Sequence, residues 1–98
     1  PSHYSVVANG IKIEESPIDA NRKLTHWRED APIPVKVMVI GIARFAVQQS
    51  GKVNDISVES WVYPQNRLEG FFDYAFAPRV LDYFQTHVGP YPYKKLAN

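Results

Sequence analysis

The residues best suited to chemistry in this chain are its histidines, its paired carboxylates and its aromatic rings. His3, His26 and His87 are far apart. None stands in H-E-x-x-H, the spacing that brings two imidazoles one helical turn apart onto a zinc ion. His87 falls in the last turn of an expected helix, where a cation suits the dipole. His3 and His26 fall on expected strand faces. Acidic pairs occur at Glu14-Glu15 and Glu29-Asp30, and Asp55 lies near a turn. An acid/base dyad needs two carboxyls in one site with pKa values driven apart. Adjacent residues on a strand point to opposite faces, so these pairs read as solvated surface. Ser, His and Asp are all present, but no G-x-S-x-G elbow occurs. The glycines, at 10, 41, 51, 70 and 89, are too dispersed for a phosphate-binding loop. Cysteine is absent, which excludes a disulfide framework and a thiolate zinc site. The reading therefore assigns no catalytic residue, no cofactor-binding residue and no metal ligand. The 2 Trp, 6 Tyr and 5 Phe remain. Trp27, Trp61, Tyr63 and Tyr91 could line a sugar or peptide groove. The bland reading, core or interface area such as aromatic side chains supply in small domains, is the one favoured for each of them.

The elements that must position these residues read as mainly β, an antiparallel sheet belonging to a β-sandwich-like domain, with one C-terminal α-helix. "HYSVVANGIKI" places two apolar runs around Asn9-Gly10, a pair suited to a type I′ hairpin turn, with strands at about 3–8 and 11–15. "SPIDANRK" is a loop, and "KLTHWRED" resumes a strand that "APIP" stops. "VKVMVIGIARFAVQ" reads as one core strand. Val35, Val37, Val39, Ala43, Phe45 and Val47 form one face, and Met38, Ile40, Ile42 and Ala46 the other. With both faces apolar, both are expected to be covered. Gly41 suggests a bulge, a bend or close packing. "QSGK" reads as a turn. In "VNDISVESWVYP", Ile56, Val58 and Val62 alternate with Ser57, Glu59 and Trp61, so one face is half exposed. The period then changes: Val80, Leu81, Phe84 and Val88 form a helical stripe over about 77–88. Pro78 suits its first turn and Gly89 its C′ position. "GPYPY" is extended around its prolines and lacks P-x-x-P, so it reads as a connection rather than a polyproline ligand.

The bulk numbers bound what this architecture can do. Ninety-eight residues, 45% hydrophobic and 21% charged, make at most one domain with a modest core. With 11 basic and 10 acidic residues there is no electrostatic footprint for nucleic acid and no polybasic patch for a membrane surface. The longest apolar run, within Val37–Ile42, is far too short for a membrane segment. The opening residues lack the basic and apolar regions of a signal peptide.

Three segments in order carry a resemblance: "HYSVVANG", "THWREDAPIPVKVMVIGIARFAV" and, after the helix, "GPYPYKKLAN". Together they resemble the zinc-dependent aminopeptidases related to aminopeptidase N and leukotriene hydrolase, and the likeness spans nearly the whole chain. It implies that residues 1–68 are the C-terminal part of that family's N-terminal β-domain. Residues 69–98 would be the first helix and connector toward a catalytic domain, with the chain ending at the junction between the two. In such proteins a Gly-Ala-Met-Glu-Asn-like strand binds the peptide N-terminus, and H-E-x-x-H with a later Glu holds zinc. None of these stands in this sequence. The resemblance thus implies a non-catalytic fragment that buttresses a catalytic domain, with zinc in the parent protein and no cofactor in this chain. Its expected partners are that domain and, through exposed strand edges, a second copy of itself. A stand-alone β-sandwich module for sugar or peptide is the alternative.

Overall fold

A computed structural model describes residues 1–98. The chain is mainly β, with antiparallel sheets and a C-terminal helix, as the sequence reading expects. It divides into two compact units, residues 1–44 and 45–98. The expected division at 68/69 falls inside the second unit.

In the first unit, β1 (Ser5–Ala8) pairs antiparallel with β4 (Ile40–Ala43), and β2 (Ile11–Pro17) pairs antiparallel with β3 (Lys23–Arg28). The strands flanking Asn9-Gly10 thus form where expected, but they do not pair with each other. A type I′ turn needs positive φ at both central residues, and only Gly10 has it, at +79°. Asn9 does different work. Its side-chain Oδ1 accepts the Val39 N–H at 2.7 Å, and its Nδ2 donates to the Val37 carbonyl at 3.3 Å. The amide thereby stands in for a peptide group and extends the β1–β4 ladder. The chain then swings at Gly10 into the other sheet. A Cβ on Gly10 would lie 2.0 Å from the Arg28 carbonyl oxygen, so this turn admits no side chain.

Residues 35–47 are not one covered strand. Val35–Val37 form a 3-10 turn after Pro34, β4 follows, and the chain breaks again before β5 (Ala46–Val53), which pairs elsewhere. Gly41 neither bulges nor bends: it stays in register opposite Val7, on the half-buried face with Ala43. The large side chains lie on the open face, Ile40 at 67% and Ile42 at 56% exposure. No hydrophobic side chain of this unit is buried. On the β2–β3 ribbon, a bulge between Lys12 and Glu14 brings Lys12 and Glu15 to the same side. The Glu15 carboxylate bridges Lys12 and Lys23, each at 2.7 Å. In the loop between these strands, Asp19 Oδ1 accepts the N–H groups of Asn21 and Arg22, an Asx turn.

The second unit is a three-stranded sheet in the order β5-β6-β7, with β6 (Ile56–Val62) central. β5 and β6 form a hairpin whose two-residue turn is Asn54-Asp55, Asn54 taking φ +53°. "QSGK" is therefore not a turn. A bulge between Gln49 and Gly51 carries the strand through it. β6 leads through a 3-10 turn at Pro64–Asn66 into α1 (Arg67–Tyr74) and α2 (Ala77–His87), and the chain returns as β7 (Lys95–Ala97), parallel to β6. The end of "GPYPYKKLAN" is thus a strand, not only a connection. Val53, Ile56, Val58 and Leu81 form the core, flanked by Ala77, Tyr91 and Leu96. Buried Ser60 is satisfied by the Ser50 hydroxyl at 3.0 Å.

α2 spans the expected residues, with Pro78 in its first turn and Gly89 just past its end. Of the expected stripe it buries only Leu81. Ala77 and Gln85 are half-buried, whereas Val80, Phe84 and Val88 are exposed. α1 is not among the elements expected from the sequence, although Leu68, Phe71 and Phe72 have helical spacing.

Gly10→Ala is expected to destabilise the chain by about 3 kcal/mol, from the left-handed backbone together with the forced shift of Arg28. Urea unfolding measures it. Lys12 and Lys23 hold the Glu15 carboxyl below its ordinary value of 4.5 by hydrogen bonding. A lowered carboxylate pKa contributes stability above the unfolded value, lost as pH falls through the folded one. Glu15→Gln is therefore expected to cost up to about 1 kcal/mol at neutral pH. In acid denaturation series, the variant and the parent chain should converge below the folded-state pKa of Glu15.

Candidate functional site

The candidate site lies wholly in the second unit, where the start of β5, the end of β6 and helix α1 meet. It is an open groove of about 640 Å³, within the size range of small-molecule sites. Phe45, Trp61, Tyr63 and Tyr74 give it aromatic walls, Glu69 and Asp73 give it carboxylates, and Asn66 and Gly70 complete the rim.

Each wall has a local cause. The pairing of β5 with β6 sets Val47 opposite Trp61 and Ala46 opposite Val62. Phe45, one residue before the strand, reaches both aromatics of β6. It meets Trp61 edge to face at 5.8 Å between ring centroids and lies nearly parallel to Tyr63 at 6.0 Å. Such pairs contribute roughly 0.5–1.5 kcal/mol beyond their area. Trp61 is also pinned from behind: its indole N–H donates to Glu59 Oε2 at 2.9 Å. The backbone is fixed there too, because the Trp61 N–H donates to the Asn98 carbonyl, and the Asn98 N–H donates to that of Glu59. The half-exposed face expected for Ser57, Glu59 and Trp61 is therefore where these side chains lie.

The carboxylates arrive on α1. Gly70 lets that helix press against β6, since a Cβ there would lie 2.7 Å from a Val62 methyl. Glu69 and Asp73 are one helical turn apart and both line the groove. Neither has an ion-pair or hydrogen-bond partner within the chain.

Of the aromatics singled out from the sequence, Trp61 and Tyr63 come together here. Tyr91 stands instead against the core, its ring 5.4 Å from Tyr93 and its hydroxyl donating to the Lys95 carbonyl. Trp27 belongs to β3 of the first unit. Phe45, Tyr74, Glu69 and Asp73 escaped the sequence reading. The spacing of Glu69 and Asp73 becomes informative only once residues 67–74 are read as a helix. The histidines do not converge on a metal site, and no group of three His, Cys, Asp or Glu residues could hold an ion. His87 stacks on Tyr83 at 4.1 Å, with Nδ1 2.9 Å from the Tyr83 carbonyl. No helix is long and apolar enough to cross a membrane.

Compared with protein-family models and with curated proteins, the sequence matches none.

Glu59→Ala removes the acceptor that pins Trp61. A cost of about 1–2 kcal/mol is expected, with a shift of the Trp61 indole N–H resonance. An unchanged indole resonance would show that the ring is held by packing alone.

Proposed function

We propose that this chain is a non-catalytic β-module of a zinc aminopeptidase of the aminopeptidase N type, and that it buttresses the catalytic domain. The observation that carries the reading is a set of apolar side chains left open on and beside the two helices: Leu68 and Phe72 on α1, Phe76 between the helices, Val80 and Phe84 on α2, and Val88 just past its end. All six are exposed, from 48% at Val80 to 84% at Leu68. A helix face that meets only water is normally polar. Large apolar side chains exposed in this number mark a surface that a second protein body covers. The ordered likeness of the three segments to that family names the body: a metallopeptidase catalytic domain of the same polypeptide. Burying these residues would contribute on the order of 1 kcal/mol per side chain before the cost of ordering.

The zinc of such a protein would be held by H-E-x-x-H and a later Glu, which this sequence lacks. Bound zinc lowers the pKa of its water and polarises the scissile carbonyl. The residues of this chain would add none of that chemistry. Their contribution is the rigid apolar surface of α1 and α2, backed by the core around Val58 and Leu81. The aromatic groove favours a second reading, a module that binds a ligand of its own.

The test has three arms. The coding frame that follows Asn98 should encode a Met-Glu-Asn strand and H-E-x-x-H with a downstream Glu. The 98-residue chain alone should retain no zinc after dialysis and leave leucine p-nitroanilide intact. Leu68→Lys/Phe72→Lys/Phe84→Lys should keep the circular dichroism spectrum while reducing the fluorescence of a bound hydrophobic dye severalfold. Hydrolysis by the chain alone, or unfolding of the triple variant, would sink the buttress reading.

A further inference from the structure

We infer that the groove between β6 and α1 is a binding site for a cationic side chain, the guanidinium or ammonium group of a basic peptide. The inference rests on the second reading above, that the chain binds a ligand of its own, and not on the peptidase reading.

Three observations converge. The walls are aromatic rings. Phe45, Trp61 and Tyr63 form one contiguous set, with Phe45 in contact with both others, and Tyr74 stands on the helix side. Aromatic faces attract cations, Trp most strongly. The polar part of the lining carries negative charge and no positive charge: Glu69 and Asp73 contribute carboxylates, and no Lys or Arg lines the groove. Those carboxylates are unpaired, one turn apart on an eight-residue helix. Like charges at this spacing repel and weaken the helix that carries them. A cation seated between them relieves that repulsion and is held by charge-assisted hydrogen bonds, which a planar guanidinium can make to a carboxylate two at a time.

Five of the chain's eleven Lys and Arg residues are engaged elsewhere. Arg79 lies 5.3 Å above the Phe76 ring, Lys12 and Lys23 hold Glu15, and Arg22 and Arg28 pair with Asp19 and Asp30. The groove is also preorganised, because Glu59 fixes the Trp61 ring and Gly70 fixes the depth of α1. A rigid site loses less conformational entropy on binding. A neutral sugar would gain from the rings, but it would leave the charge of two carboxylates uncompensated.

The experiment titrates the full 15N-labelled chain with the peptide acetyl-Gly-Arg-Gly-Arg-Gly-amide and follows the Trp61 indole N–H resonance. The expected result is a saturable shift. Replacing each arginine by citrulline, its neutral isostere, should weaken binding about tenfold, as should Glu69→Gln/Asp73→Asn. Both acids are exposed, so the variant should fold, and circular dichroism checks that it does. Raising the salt should weaken the arginine peptide severalfold and leave the citrulline peptide unaffected. Equal affinity for the two peptides, or an unchanged affinity in the double variant, would overturn the assignment. Saturable binding of maltohexaose with no response to the arginine peptide would overturn it in favour of a sugar site. If neither probe shifts Trp61, the ligand-binding reading falls with it.

Discussion

β6 is the strand on which the second unit depends. It alone has neighbours on both sides, antiparallel β5 and parallel β7. Ile56, Val58 and Ser60 are buried on one of its faces, and Val62 continues that face against Gly70. Its other face carries Glu59, Trp61 and Tyr63. One strand therefore holds the core on one side and the aromatic groove near its end. The alternation of side chains that makes this possible is fixed by the pleat, so the register of β6 couples the two. A slip of one residue would turn Trp61 inward and Val58 outward.

The first unit is governed by a different constraint: it has no buried hydrophobic side chain. Two two-stranded sheets hold it together through backbone ladders, the Asn9 amide bridge and the ion pairs around Glu15. Two-stranded ribbons are marginal in isolation. Exposed ion pairs add little to that stability. The turn at Gly10 consequently matters more than its single residue suggests, because it is where the chain passes from one ribbon to the other.

Much of the strand and helix content was legible in the sequence, because alternation and helical spacing are local signals. Ile56 to Val62 alternates as expected, and Ala77 to His87 is bounded by the Pro and Gly that its caps require. Partner choice was less legible. Asn9-Gly10 marks a turn, but whether the next strand pairs with the last depends on what β4 offers from thirty or so residues away. The run from Val35 to Val47 looks like one strand because all its residues but Lys36 and Arg44 are apolar. Nothing local tells that its two ends serve different sheets. α2 misled in another way. Its apolar residues outnumber its buried positions, and of the stripe that stands out in the sequence, Val80, Leu81, Phe84 and Val88, only Leu81 is buried. The groove was half visible, as Trp61 and Tyr63. Its acids were hidden because Gly70, unfavourable in a helix by about 1 kcal/mol, obscured α1.

The parallel pairing of β7 with β6 also orders events during synthesis. Ser57 meets Lys95 and Glu59 meets Ala97, with both helices between them in the chain. Until the ribosome has released the last of these residues, one edge of β6 has no partner. For that interval the nascent chain carries an open strand edge together with exposed apolar helix residues, the combination that holdase chaperones are suited to shield. The third strand is thus the last part of the second unit to be made, after its hairpin and its helices.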